Sequence, residues 1–203
     1  MSHPLAALRS ALVLLLLSAV AKSSSISPGI WYEFGFDPEH FPLVSGCQPA
    51  DPAGVPCRPG IGSVNLGARP WTFTTRSPVD FTITDALLAG DSFKVFDFSS
   101  LVGSTPPVPA NFHSCGLNPR VCVVDPEMSH ASFLLPPGSY SITVSVHAVQ
   151  ILGEGFFRFE PVPEPPTSLL LASGLALAGC VKLRGRSLVP ATRHRSRSKP
   201  AMF

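Results

Sequence analysis

Prolines and glycines interrupt the chain between Lys22 and Glu160 every eight to twelve residues, and almost no helical periodicity survives between them. What does survive alternates with period two, the signature of strands with one face on a core and one face in water. In "VDFTITD" Val79, Phe81 and Ile83 share one face, with Asp80, Thr82 and Thr84 on the other. In "SYSITVSVHAV" Tyr140, Ile142, Val144 and Val146 oppose Ser141, Thr143, Ser145 and His147. "WYEFGF", "PWTFTT", "SFKVFDF", "ASFLL" and "EGFFRFE" add further candidates rich in aromatic and β-branched residues. Parallel crossovers need helices that this stretch lacks. The expected fold is therefore all-β, an antiparallel β-sandwich with jelly-roll-like character. In "LLPPGSYSITVSV" Pro136, Pro137 and Gly138 turn the chain into its longest unbroken alternation, which predicts a central strand.

Both ends read as addresses rather than fold. At the start, Arg9 precedes an apolar run from Ala11 to Val20 that ends in an Ala-Val-Ala triplet, the pattern of a signal peptide cleaved after Ala21. The expected division is 1–21 signal peptide, 22–160 β-sandwich, 161–186 sorting signal and 187–203 basic tail.

Charge divides along the same lines. Residues 22–160 carry seven basic and twelve acidic side chains, a net charge of −5. Lys182, Arg184, Arg186, Arg193, Arg195, Arg197 and Lys199 follow with no acid among them. The basic overall balance thus comes from the tail, and the body is no nucleic-acid binder.

Four of the five cysteines lie in the body as two close pairs, Cys47 with Cys57 and Cys115 with Cys122. An even count in an exported chain indicates disulfides; four cysteines permit three connectivities, of which the two local pairs are favoured. Rings of that size would contribute roughly 2.5 to 3 kcal/mol each through loop entropy. No pair has the two-to-four-residue gap typical of a zinc site.

Chemistry-bearing patterns are sparse. Asp85 and Asp91 bracket "DALLAGD", where carboxylates can close an Asx-type turn; with Asp97 they also form the body's candidate calcium set, since this ion takes clustered carboxylates. No other cofactor is expected. Gly90, Asp91 and Ser92 resemble the nucleophile block of the SGNH hydrolases, and Asp37 to His40 resembles their D-x-x-H block. Here the blocks stand in reverse order, and the helices of that family's α/β domain are missing. His40, His113, His130 and His147 have no shared metal spacing, and phosphate-cradling or dinucleotide fingerprints are absent from the sequence. The expectation is a non-catalytic protein. Trp31 and Trp71 are sugar-stacking candidates by residue type, although core filling is the commoner fate of a tryptophan.

The apolar run from Ser168 to Val181 spans 14 residues, about 21 Å as a helix against roughly 30 Å of bilayer hydrocarbon. Val162, Pro163, Glu164 and Pro165 precede it, and Lys182, Arg184 and Arg186 follow it. This order of proline-rich motif, short Leu/Ala/Gly helix and basic stop resembles the PEP-CTERM sorting signal of Gram-negative bacteria. The resemblance covers about 25 residues and implies processing by an exosortase, contact with the membrane through the C-terminal helix, and an envelope or matrix destination in bacteria that make extracellular polysaccharide and biofilm. Pro166 departs from the serine common there, and the 17-residue tail beyond Arg186 outruns the usual pattern. The implied role is a structural or binding module, with a carbohydrate-binding, calcium-assisted module as the alternative.

Overall fold

The computed structural model describes residues 23–147 and 152–163. These fold as twelve strands: β1 (Ser24–Ser25), β2 (Trp31–Phe36), β3 (Ser63–Asn65), β4 (Trp71–Thr75), β5 (Val79–Asp85), β6 (Leu87–Leu88), β7 (Ser92–Asp97), β8 (Ser100–Ser104), β9 (Ser114–Gly116), β10 (His130–Leu135), β11 (Gly138–His147) and β12 (Gly153–Pro161). A four-residue helix, α1 (Pro119–Cys122), carries proline at its start and is capped by Asn118, whose side chain accepts the Arg120 N–H at 3.1 Å.

Two five-stranded sheets result, ordered β1-β4-β11-β7-β8 and β10-β5-β12-β2-β3, with β6 and β9 forming a small ribbon. Their facing sides share one core. Tyr32, Phe34 and Phe36 of β2, with Phe157 and Phe159 of β12, meet Trp71, Phe73, Phe93 and Tyr140 from the other sheet. Phe73 stacks on Phe159 at 4.1 Å and on Tyr140 at 4.9 Å, while Phe34 meets Phe93 edge-on at 5.3 Å. Trp71 is fully buried and donates its indole N–H to the Gly67 carbonyl at 2.8 Å.

The eight strands of five residues or more pair in a nested way: β2 with β12, β4 with β11, β5 with β10, and β7 with β8, all antiparallel. As the turn chemistry predicts, β11 is the middle strand of its sheet, burying Tyr140, Ile142, Val144 and Val146 and leaving His147 exposed.

Two details differ from the sequence expectation. The sheets are mixed rather than purely antiparallel, because β1 joins β4 and β3 joins β2 in parallel. Each parallel partner is an edge piece of two or three residues; β3 reaches β2 only after the chain has looped back along the sheet through residues 37–62, the crossover that a parallel pair needs. Secondly, β5 is not half-buried. Thr82 and Thr84 are buried along with Phe81 and Ile83, since loops cover the outer face of this sheet. The Thr82 and Ser132 hydroxyls satisfy each other at 2.7 Å, and the Thr84 hydroxyl bonds the Asp85 carbonyl at 3.1 Å.

Candidate functional site

The covering layer consists of two disulfide-bonded straps. Cys47–Cys57 closes the first and Cys115–Cys122 the second, the two local pairings. The first presses on β2 so closely that a Cβ on Gly35 would stand 2.3 Å from Val55 and 3.1 Å from Cys57. Beneath the second, Trp31, Ala86 and Phe156 form a separate small core with Leu117 and Val123. The straps are joined where the Ile61 N–H donates to the Leu117 carbonyl at 2.7 Å.

At one end of this layer, where β2 and β5 finish and β7 and β12 begin, lies a cavity of about 590 Å³. Phe36, Leu88 and Leu152 supply apolar wall, Val55, Pro56 and Arg58 come from the first strap, and Asp37, Asp91 and Glu154 make the lining acidic. Concave sites of this size, mostly apolar with a few convergent polar groups, suit small ligands. The Asp37 and Asp91 carboxylates here would accept hydrogen bonds from ligand hydroxyl or amine groups, and Arg58 is the basic group in the lining.

Local sequence builds this acidity. The Asp85 carboxylate accepts the Ala86 N–H at 2.8 Å and the Asp91 N–H at 3.2 Å, closing the turn that includes Leu87 at φ 62° and Gly90 at φ 140°. Burial, reinforced by the neighbouring Asp91 charge, pushes the Asp85 carboxyl up to about 8. Asp85 is therefore mostly protonated at neutral pH. Asp97 stands at the far end of β7, roughly 20 Å from Asp91 at the usual rise per strand residue, and accepts the Ser141 N–H at 2.8 Å. The calcium set Asp85, Asp91 and Asp97 is thus not brought together: Asp97 ends the strand that Asp91 precedes, and the length of that strand separates it from the others.

Glu33 and Glu154 occupy diagonal positions on β2 and β12, facing the first strap. One oxygen of each is satisfied by strap residues or the segment after them: Glu154 Oε1 accepts the Arg58 N–H at 2.9 Å, while Glu33 Oε2 accepts the Gly60 N–H at 2.9 Å and the Ser63 hydroxyl at 3.0 Å. The other oxygens, Glu33 Oε1 and Glu154 Oε2, are buried and meet no donor. Burial raises both carboxyls above the usual range, against the lowering pull of those N–H bonds. A Glu33 oxygen also lies within 4.8 Å of the Cys47 and Cys57 sulfurs, but those are bonded to each other and offer no thiolate to a metal.

Other predicted residues fall elsewhere. Trp31 and Trp71 are both buried, so neither presents a stacking face; Arg158 lies 4.6 Å over the Trp31 ring. His40 has both ring nitrogens engaged, Nδ1 with Asp37 at 2.6 Å and Nε2 with the Ala53 carbonyl at 3.0 Å. This leaves neither nitrogen to activate Ser92, which pairs with His147 across β7 and β11. His113 pairs with Asp125 at 2.7 Å, and His130 bonds the Met128 carbonyl at 2.9 Å. Val162 ties the end of β12 to the body through its N–H and the Pro78 carbonyl at 2.9 Å, and Pro163 is the last residue described. Glu164, Pro165, Lys182, Arg184, Arg186, the signal peptide and the Ser168–Val181 run lie outside the described residues. Among those described, no helix is long and apolar enough to cross a membrane.

Glu33, Glu154 and Arg58 were not singled out by the sequence, although "WYEFGF" and "EGFFRFE" each set a lone acid near aromatic neighbours, which is the available signal. No family model matches the chain, and no curated protein matches it. Among solved structures, the chain is similar to the pre-peptidase C-terminal domain of a collagenase from Bacillus anthracis, at 10% identity and a TM-score of 0.36, over 68% of this chain and 95% of that one. At that level the likeness carries no argument.

Proposed function

We propose that this chain is an exported, non-catalytic protein of the cell envelope or extracellular matrix, whose jelly-roll body holds a small polar ligand in the acidic cavity at its strapped end. The observation that carries the reading is the cavity itself, with Asp37, Asp91, Glu154 and Arg58 in a lining of about 590 Å³ walled by a disulfide-closed loop. The nested pairing of the eight long strands supports the jelly-roll description. Two disulfides in one small domain support passage through an oxidising compartment. Val162 to Pro165, the short apolar run and the basic stop support a PEP-CTERM address and an exosortase partner, and a sugar unit of the extracellular polysaccharide is the ligand best matched to hydrogen-bond acceptors ringed by apolar wall.

Calorimetric titration with oligosaccharides from the producing cell's own polysaccharide tests the cavity. Binding weakened at least about tenfold by Asp91→Asn, the loss of about 1.4 kcal/mol of carboxylate contact, supports it. Binding equal in wild type and variant removes the cavity from the reading. Intact-mass measurement of protein recovered from cells tests the address, which requires a mature form lacking both ends.

A further inference from the structure

The first strap is attached to its sheet by two buried carboxyls whose remaining oxygens face no protein donor. Glu33 and Glu154 sit diagonally on adjacent strands, hold the N–H groups of Gly60 and Arg58 respectively, and leave Glu33 Oε1 and Glu154 Oε2 in the dry layer between strap and sheet. The residues are 1% and 7% exposed, so bulk water does not complete either group. Diagonal neighbours on one face of adjacent strands stand within reach of each other's long side chains, so the two carboxyl groups share this layer. Two ionised carboxylates cannot bond; one of them must carry a proton.

We propose that Glu33 and Glu154 share a single proton, and that this proton fastens the strap that walls the cavity, so that ligand access is governed by pH. The inference deepens the binding-site reading and rests on it for its consequence, though not for the latch. While the proton is held, Glu33 and Glu154 attract, and Val55, Pro56 and Arg58 stay in the cavity wall. When it is lost, two anions confront each other in a medium that screens them poorly, and separation of strap from sheet relieves the repulsion. Charged and titratable groups on the neighbouring elements are Asp51 and Arg58 on the strap, Asp37 and His40 after β2, Asp85 and Asp91 on the link from β5 to β7, and Arg158 on β12; the His40 ring bonds the strap's Ala53 carbonyl at 3.0 Å. Arg58 favours ionisation of Glu154, whereas Glu33 opposes it. Both carboxyls lie above their ordinary range in the folded chain, so the latch is fully fastened below about pH 4 and is released as pH rises through the folded pair's own titration.

Amide hydrogen exchange tests the latch with no ligand present. Protection factors for Arg58 and Gly60, corrected for intrinsic exchange, should fall by about tenfold or more between pH 5 and pH 9, the loss expected for each unit by which the pair's affinity for the proton is raised. Amides of β11 should keep their protection. In Glu33→Gln a carboxamide N–H permanently replaces the shared proton, and the fall should vanish. Asp85→Asn and His40→Gln, which remove the titrating groups beside the cavity and on the strap's Ala53 carbonyl, should each leave it intact. Pre-existing strap protection that is independent of pH in the wild type, or a fall that persists in Glu33→Gln, overturns the proposal; should that variant fail to fold, Glu154→Gln serves the same readout. Protection at pH 9 that a chelator abolishes assigns the pair to a bound cation and also overturns it. Oligosaccharide titration at both pH values then separates the readings: no binding at either pH counts against the cavity alone, and pH-independent binding with a working latch counts against the gate alone.

Discussion

The two sheets use the same strand chemistry and differ in what covers their backs. On the sheet of β4, β11 and β7, buried residues alternate with half-buried or exposed ones, and the outer side chains of β11 are Ser141, Thr143, Ser145 and His147. On the sheet of β5, β12 and β2, burial is nearly continuous: all six residues of β2 are inaccessible. The difference lies in two loops stapled across one face. A strand pattern therefore specifies the face that meets the main core, while the second face is decided by segments far away in the chain.

Neighbouring phenylalanines on β12 give the sharpest contrast. Phe157 belongs to the shared core and Phe156 to the small cluster under the second strap, and both are fully buried. Phe157→Ala should cost about 3–5 kcal/mol in urea unfolding, as for large aromatic deletions in a tight core. Phe156→Ala should cost less and leave the protection of β11 unchanged, since the small cluster can partly collapse. Equal costs would mean that strap and core form one cooperative layer.

Replacing Cys47 and Cys57 together by alanine should lower stability by about 2–4 kcal/mol in the same assay and open the 47–57 loop to limited proteolysis. Resistance of that loop to protease would show that packing on Gly35, rather than the cross-link, holds it.

pH acts mainly on the strapped side as well. Asp85 has a folded-state value of about 8 against an ordinary value of 3.8, so the native chain keeps a proton that the unfolded chain releases. Its contribution is present below about pH 4 and is lost as pH rises through about 8. Stability should fall on the order of 2 kcal/mol between pH 5 and pH 8, below the full linkage value because desolvated carboxyls relax their surroundings. Asp85→Asn should flatten most of this decline, leaving the part due to Glu33, Glu154, His40 and His113, all of which hold a proton more tightly in the folded chain. The smallest effect belongs to the open face, where the Thr74 and Ser139 hydroxyls meet at 3.0 Å in solvent. Thr74→Ala should shift unfolding by no more than about 0.5 kcal/mol.

The same contrast explains what the sequence revealed. Alternation in "SYSITVSVHAV" identifies β11, its buried face and, with Pro136 and Pro137 before it, its central place. Cysteine spacing was enough to favour the two local pairs. The polar residues of β5 were misjudged because alternation says only that Thr82 and Thr84 point away from the core; what they point into depends on straps beginning at Cys47 and Ser114. Parallel placement of β1 and β3 was illegible for a related reason, since two or three residues carry no pattern and the register comes from the returning chain. The separation of Asp91 from Asp97 was in principle readable, because "SFKVFD" between them has strand character and a strand holds its ends apart. Glu33 and Glu154 were hidden in aromatic strands, where a single acid breaks no alternation.

The most direct test is hydrogen exchange on the whole body, oxidised and then reduced with a phosphine. Straps that seal one sheet through their disulfides predict that reduction deprotects amides of residues 45–66 and 114–124 while β4, β7 and β11 remain protected. Loss of protection in both sheets together, or in neither, would contradict a separable second layer.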